Sequence, residues 1–302
     1  MKQKREGNSA VKHAIIFIIT VGTGFFLMMM LFGLFMLLLF TPETGNVAVI
    51  KLHGVISVDD DSLFSSGASS GQIVDMIELA EESDEIAAIL IDINSPGGSA
   101  AASEEVASAI REAKKPTIAL IRDVGASGAY WAASAADTII ASPVSITGSI
   151  GVSASYLEFS GLFEDYGVGY ERLVSGQYKD MGSPYRNLTA EEREIMQVLI
   201  DDIQEHFIAS VAENRNMEAE KMRELATGMV YTGRQAKELG LVDILGDKST
   251  AEALLKEKGI EEVDFVEYEI LEPLFGSLFS MGSKAEPSIK DVFPSYMISA
   301  TT

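Results

Sequence analysis

The arrangement of apolar and polar residues divides the chain into an apolar N-terminal segment and a longer mixed part. Residues 14–40 are a run of 27 residues without a charge, which as a helix reaches about 40 Å and exceeds the ~30 Å hydrocarbon core of a bilayer. We therefore predict a transmembrane anchor over 14–40, preceded by a basic N-terminus at 1–13. The remaining pattern predicts a linker at 41–46, a folded domain at 47–272 and a C-terminal tail at 273–302.

Within the folded domain, buried strands alternate with amphipathic helices. Nearly continuous apolar runs predict strands at 47–52, 86–93, 117–121 and 138–141, with a turn expected at Ser95-Pro96-Gly97-Gly98. A capping box of Thr189 and Glu192 predicts the start of a long helix, whose core-facing positions are expected to be Ile195, Leu199, Ile203, Phe207 and Val211. This alternation favours an α/β domain of stacked βα units.

Charge and composition narrow the possible functions. Residues 1–13 carry a net charge of +3, whereas the rest of the chain holds 19 basic and 44 acidic side chains, a net charge of −25. The positive charge of residues 1–13 predicts that this end of the chain lies in the cytoplasm. The folded domain is then expected on the extracytoplasmic side of the membrane. A domain with this negative charge repels the phosphate groups of nucleic acids, and we therefore expect no nucleic-acid partner. With no cysteine and three histidines, neither a disulfide nor a metal site is expected.

A cleaved signal peptide is the alternative interpretation of the N-terminal segment. Its apolar core normally spans 7–15 residues, and no small-x-small cleavage site follows Phe40, where the sequence continues as Thr-Pro-Glu-Thr-Gly. An uncleaved anchor is therefore favoured.

Two glycine-bearing segments that follow predicted strands are candidates for a catalytic site, namely Ser95-Pro96-Gly97-Gly98 and Gly125-Ala126-Ser127-Gly128. In Gly125-Ala126-Ser127-Gly128, a hydroxyl at the start of a helix would lie beside amides able to stabilise a developing negative charge. A serine at this position is more commonly only a helix N-cap. A nucleophile also needs a base, and His53 and His206 both fall inside predicted elements. A lysine from the loop 175–184 is the other option, but its spacing alone does not single out Lys179.

Taken together, four ordered motifs resemble the signal peptide peptidase A (SppA) family over most of residues 47–246. These motifs are Ser95-Pro96-Gly97-Gly98, Gly125-Ala126-Ser127-Gly128-Ala129-Tyr130-Trp131, Ile146-Thr147-Gly148-Ser149-Ile150-Gly151-Val152 and Ser175-Gly176-Gln177-Tyr178-Lys179-Asp180. The resemblance implies a ClpP/crotonase-like fold and a serine endopeptidase that needs no cofactor. It implies that Ser127 is the nucleophile and Lys179 the general base. It also implies that the amides of Gly98 and Gly128 form an oxyanion hole and that Ser149 orients the lysine.

The same resemblance implies the partners of the chain. Expected substrates are cleaved signal peptides, and the chain resembles the short form of the family, with one peptidase unit and one anchor in the bilayer. In double-length relatives the serine and the lysine come from different fused halves. A single-copy chain is therefore expected to form a homo-octameric ring in which neighbouring subunits supply Ser127 and Lys179.

Other interpretations remain open from the sequence alone. Another crotonase-like protein, such as an acyl-CoA enzyme, would share the fold and the glycine turns without needing Lys179. A degenerate peptidase would assemble without cutting, and Ser149 is a competing nucleophile because glycines flank it as well. Ala129 also replaces a glycine that is usual in the family's Ala-Ser-Gly-Gly-Tyr motif, which bears on the width of the site.

Overall fold

A computed structural model describes residues 3–39, 45–58 and 67–268, and it separates into the units Met1–Thr44 and Gly45–Thr302. The tail expected at 273–302 and most of the linker expected at 41–46 lie outside the described residues.

The first unit contains one long helix, α1 (Gln3–Leu39). Its segment Ile16–Phe35, with a mean hydropathy of 2.2, is long and apolar enough to cross a membrane. The large apolar side chains of that segment are exposed, as lipid-facing side chains of a single span are. The helix begins well before the apolar run, so Lys4, Arg5 and Lys12 belong to the same helix.

The second unit is an α/β domain in which short helices separate the strands, as predicted. In chain order its elements are β1 (Val47–Ser57), β2 (Ala68–Ser69), α2 (Ser70–Glu82), β3 (Ala88–Gly98), α3 (Ala100–Glu112), β4 (Thr117–Ala126), α4 (Gly128–Ser134), β5 (Thr138–Ala141), β6 (Ile146–Gly148), α5 (Ser160–Asp165), α6 (Ala190–Asn214), α7 (Ala219–Leu225), β7 (Val230–Thr232), α8 (Gly233–Glu238), β8 (Ile244–Leu245), α9 (Lys248–Glu257) and β9 (Phe265–Glu267).

The strands of the described residues form one sheet in the order β2-β1-β3-β4-β5-β8. Every pair along this path is parallel, and β9 also runs parallel to β1. Strand β6 extends the carboxyl end of β4 in parallel and pairs with β7 in the antiparallel sense. Parallel strands joined through helices bury both faces of the sheet, which explains the continuous apolar runs in the sequence.

Each face of the sheet has its own apolar core. On one face, side chains such as Ile50, Ile91 and Ala119 pack with those of α2, α3 and α4. On the other face, Leu90 and Leu120 belong to a smaller core that α9 covers. Because alternate residues of a strand point to opposite faces, the two cores hold the central strands in a fixed register.

Strands β1, β3 and β4 continue beyond the ends that their apolar runs predict. Strand β3 continues through the Pro-Gly-Gly segment, where Gly98 pairs with Ile56 of β1 and Ser95 pairs with Gly125 of β4. The turn expected there is therefore wrong. Glycine permits this extension because Gly97 has a φ of +97° and a side chain on Gly98 would meet the carbonyl oxygen of Ile56 at 2.0 Å.

Helix α6 begins at the predicted capping box, since the Glu192 amide donates to the Thr189 hydroxyl and the Glu192 carboxylate accepts from the Thr189 amide. Its expected apolar face is only half correct. Phe207 and Val211 are buried, whereas Leu199 is 53% exposed and Ile203 is 38% exposed. The first half of α6 therefore carries apolar side chains that the chain itself does not cover.

Candidate active site

Ser127 lies at the sharp turn between β4 and α4, and its backbone is strained. Its φ of 54° and ψ of −127° place a residue with a side chain in a region that strongly favours glycine. The Ser127 amide donates to the carbonyl oxygen of Gly148 at 2.8 Å, and its carbonyl oxygen accepts from the amides of Tyr130 and Trp131. The fold therefore holds this serine in a costly conformation through its backbone.

The side chain of Ser127 does not cap α4. It occupies the N-cap position, yet its hydroxyl makes no capping hydrogen bond to the helix. Strain without a capping role is typical of a serine that presents its hydroxyl for chemistry at a strand-to-helix turn. The interpretation of Ser127 as a simple N-cap is therefore wrong.

The two predicted oxyanion glycines lie side by side behind this serine. The amide nitrogen of Gly98 is 3.4 Å from the point where a Cβ atom on Gly128 would lie. The same Cβ would lie 2.0 Å from the hydroxyl oxygen of Ser103, and a Cβ on Gly97 would lie 2.7 Å from the Gly128 nitrogen. Only glycine fits at these three positions, so the backbones of β3 and α4 approach closely beside Ser127.

Ser127 opens into a cavity of about 430 Å³. Ser149 lines the same cavity and, with a φ of 53°, is a second strained serine. Its amide donates to the carbonyl oxygen of Met229 at 2.8 Å, and it directly follows the glycine whose carbonyl holds Ser127. The opposite wall of the cavity comes from α6 and includes Gln197, Asp201 and Gln204. The structure thus brings together four of the five predicted site residues, Gly98, Ser127, Gly128 and Ser149.

Lys179, the fifth, is exposed and does not line this cavity. It lies in a series of turns between α5 and α6, where its amide donates to the carbonyl oxygen of Gly176 at 3.2 Å. Among the described residues, its ammonium group forms no hydrogen bond or ion pair.

An ion-pair network fixes the loop that carries Lys179. The carboxylate of the adjacent Asp180 accepts from the guanidinium groups of Arg172 and Arg186, at 2.6–2.9 Å. Arg186 also donates to Glu192 at the start of α6. Hydrogen bonds from Arg172 and Arg186 hold the pKa of Asp180 well below its usual range, and Arg186, with the Thr189 amide, lowers the pKa of Glu192 to about 2.

Neither described histidine side chain belongs to the cavity. His53 lies on β1 with its Nε2 atom 3.8 Å from a carboxylate oxygen of Asp92. The ring of His206 on α6 packs edge-on against the ring of Trp131, with 5.6 Å between centroids. Neither residue lines the cavity that contains Ser127, so a histidine base has no support in the described part of the chain.

Sequence reasoning missed two features of this region. Apart from its position in the sequence between Asp180 and Glu192, nothing indicated that Arg186 pairs with both of these carboxylates. Ion pairs across turns leave no periodic pattern in a sequence. The cavity wall of Asp201 and Gln204 was missed because polar residues on a helix normally face solvent. The cue that could have found it is their spacing from Gln197, which puts all three on one face of α6.

The domain is a parallel α/β fold with a strained serine at a strand-to-helix turn. Beside this serine, the backbones approach so closely that only glycine fits. These features together define the class of serine hydrolases. A model of the family described as "Peptidase family S49" matches residues 109–261, and the chain belongs to that family. The chain is thus a serine peptidase similar to the SppA proteins, and the resemblance that implied a ClpP/crotonase-like fold is confirmed.

Two sequence relatives agree with this assignment. A protein of Enterococcus faecium named "Putative signal peptide peptidase SppA" is 35% identical over 238 residues, which cover 76% of this chain and 69% of that protein. The chloroplastic serine protease SPPA of Arabidopsis thaliana is 36% identical over 223 residues, 72% of this chain and 33% of that protein. A mutant of the 1510-N membrane-bound stomatin-specific protease has a similar structure, with a TM-score of 0.49, 17% identity, and coverage of 76% of this chain and 99% of that one.

Proposed function

We propose that this chain is a membrane-anchored endopeptidase that degrades remnant signal peptides and other unfolded apolar peptides with a Ser127/Lys179 dyad. The observation that carries the proposal is the strained, uncapped Ser127 beside the closely packed backbones of Gly98 and Gly128. Helix α1 is the anchor, with its basic N-terminus in the cytoplasm and the peptidase domain outside, following the charge asymmetry around the apolar run.

The proposed reaction passes through an acyl-enzyme. Lys179 removes the proton of the Ser127 hydroxyl, and the serine oxygen attacks the carbonyl carbon of the substrate. The amides of Gly98 and Gly128 then stabilise the negative oxygen of the tetrahedral intermediate. The amine of the cleaved peptide leaves with the proton held by Lys179. Water, deprotonated by the same lysine, releases the second product and regenerates Ser127.

We further propose that each Lys179 serves the Ser127 of a neighbouring subunit in a homo-octameric ring. Two observations support this arrangement. Lys179 is exposed outside the cavity of its own chain. Apolar side chains are also unusually exposed in the segment that carries it and on α6, with Tyr166 80% exposed, Leu173 88% exposed and Val198 62% exposed. Exposed large apolar side chains of this kind are typical of protein interfaces.

Complementation between two inactive variants tests the shared site. Ser127→Ala and Lys179→Ala are each expected to abolish cleavage of an unfolded apolar peptide. When the two variants are co-expressed and mix at random, about a quarter of interfaces join an intact Ser127 to an intact Lys179, so roughly that share of activity should return. If one chain supplies both residues, the mixture stays inactive, which would refute the shared site while leaving the dyad possible.

Labelling with a fluorophosphonate probe identifies the nucleophile. Wild-type protein should be modified at Ser127, and Ser127→Ala should lose both labelling and cleavage. Ser149→Ala is the matched control, because Ser149 lines the same cavity and is strained in the same way. Loss of labelling in Ser149→Ala with retention in Ser127→Ala would reverse the assignment. A purified wild-type protein that is neither labelled nor active would instead indicate a non-catalytic scaffold.

A further inference from the structure

The cavity beside Ser127 has a wall of hydrogen-bond acceptors that the proposed chemistry does not use. This wall is the face of α6 that carries Gln197, Asp201 and Gln204. Among the described residues that line the cavity, Asp201 is the single charged residue. An acceptor-rich wall is unexpected in a peptidase whose proposed substrates are apolar.

Two side-chain hydrogen bonds fix the orientation of the acceptor groups on this wall. The side-chain amide of Gln197 donates to one carboxylate oxygen of Asp201 at 2.8 Å, and no Lys or Arg in the described part of the chain pairs with Asp201. The Gln204 side-chain amide donates to the carbonyl oxygen of Ala226 at 3.1 Å, which fixes the orientation of its Oε1 atom. That Oε1 atom is buried and accepts no hydrogen bond from the residues that the structure describes. A buried acceptor without a donor is costly and therefore rare in folded proteins.

We propose that this wall is a substrate subsite that selects a basic side chain, lysine or arginine, close to the scissile bond. The inference rests on the proposed peptidase function and deepens it by naming the substrate class. Asp201 supplies the negative charge, and the polar side chains of Gln197 and Gln204 line the same wall beside it. The long aliphatic stem of lysine or arginine passes Val152 and Ile200, the apolar residues of the same cavity.

A contact between Asp201 and the ammonium group of a neighbour's Lys179 is the competing explanation. A carboxylate next to that lysine would favour its protonated form and weaken it as a base. This electrostatic argument favours a lysine base that approaches from the side of Ser149. The substrate side chain then occupies the side of α6.

The test measures binding apart from cleavage. Full-length Ser127→Ala protein is titrated with pairs of fluorescent peptides that differ only by lysine or norleucine at one of the three positions before the scissile bond. At one position the lysine peptide should bind roughly three- to five-fold more tightly, in the range of a partly exposed ion pair. Adding Asp201→Asn should reduce this ratio to about one, and 1 M salt should do the same, because the screening length is then about 3 Å.

Asp202→Asn is the matched control, because Asp202 is an exposed carboxylate of the same helix that does not line the cavity. It removes the same charge and should leave the lysine preference intact. Equal or tighter binding of the norleucine peptides at all three positions would overturn the subsite. So would a lysine-to-norleucine binding ratio that survives Asp201→Asn. If the lysine preference holds but wild-type protein cleaves neither peptide, the subsite stands and the proposed peptidase function fails.

Discussion

Replacing Gly128 with alanine tests how closely the backbones of α3 and α4 pack behind Ser127. The new Cβ atom would lie 2.0 Å from the hydroxyl oxygen of Ser103 and 2.8 Å from its Cβ atom. Both distances are well below the ~3.5–4.0 Å of a favourable contact, so one backbone must shift by roughly 1 Å. Ser103 has little freedom to move away, because it is fully buried and its hydroxyl donates to the carbonyl oxygen of Ser99 at 2.7 Å.

The expected cost has a stability part and a catalytic part. Overpacking of this kind costs about 1–3 kcal/mol, which lowers the Tm of a domain of this size by several degrees. Displacing one oxyanion donor lowers kcat about 10²- to 10³-fold. Gly128→Ala should therefore lose far more activity than its modest loss of stability accounts for.

Second substitutions at Ser103 separate the steric cause from other causes. Gly128→Ala with Ser103→Ala removes the 2.0 Å contact but leaves the one at 2.8 Å, so activity should recover in part. Gly128→Ala with Ser103→Gly removes both contacts, at about 1 kcal/mol for glycine within a helix, and should recover more. Gly161→Ala in α5 is the control, because no described atom beyond its chain neighbours and the backbone of its own helix lies within 4 Å of the added methyl group.

Peptide cleavage and thermal unfolding, measured on the same preparations, decide the outcome. Wild-type kcat and an unchanged Tm in Gly128→Ala would refute the close packing at this turn. A large loss of kcat that neither Ser103 substitution relieves would show that the methyl group acts other than by steric displacement of the Gly128 amide.

Two further predictions concern the segments around the cavity. Because the folded-state pKa values of Asp180 and Glu192 are depressed, their stabilisation is complete above about pH 4.3 and is lost as the pH falls towards 2. Arg186→Met should flatten the free energy of unfolding over that window, measured by urea denaturation at pH 2.5 and 6, and parallel curves for both proteins would contradict it. Leu199→Glu on the exposed half of α6 should prevent assembly in light scattering of the detergent-solubilised protein, whereas Leu199→Met should assemble; an unchanged mass for Leu199→Glu would exclude this face from the interface.

The sequence predicts the fold well because its strands are buried on both faces. Continuous apolar runs identified the central strands, and the capping residue Thr189 begins α6 as expected. In α2, the buried residues Ile73, Met76, Ile77 and Ala80 recur at helical spacing in the sequence. These signals are local or periodic, so one chain without relatives suffices to interpret them.

The features that sequence reasoning missed depend on contacts between distant segments. The continuation of β3 through Gly97 and Gly98 follows from pairing with β1 and β4, which overrides the turn preference of a Pro-Gly-Gly segment. The exposure of Leu199 has the same origin, because an amphipathic pattern states that a face is apolar but not what covers it. The motifs located Ser127, whereas its strained backbone became visible only in three dimensions.

The close approach of glycine backbones behind Ser127 has a consequence for how such an enzyme could be redesigned. The part of the site that holds Ser127 is made of main-chain atoms at positions where every other side chain collides, so substitution there can only damage it. The α6 wall is made of side chains, of which Gln197 and Asp201 are exposed, on an element that does not pair with the sheet. Substitutions are therefore tolerated on the α6 side of the cavity and excluded on the side formed by the glycine backbones. A library of variants confined to Gln197, Ile200, Asp201 and Gln204 would explore new substrate selectivities while the backbone that holds Ser127 stays unchanged.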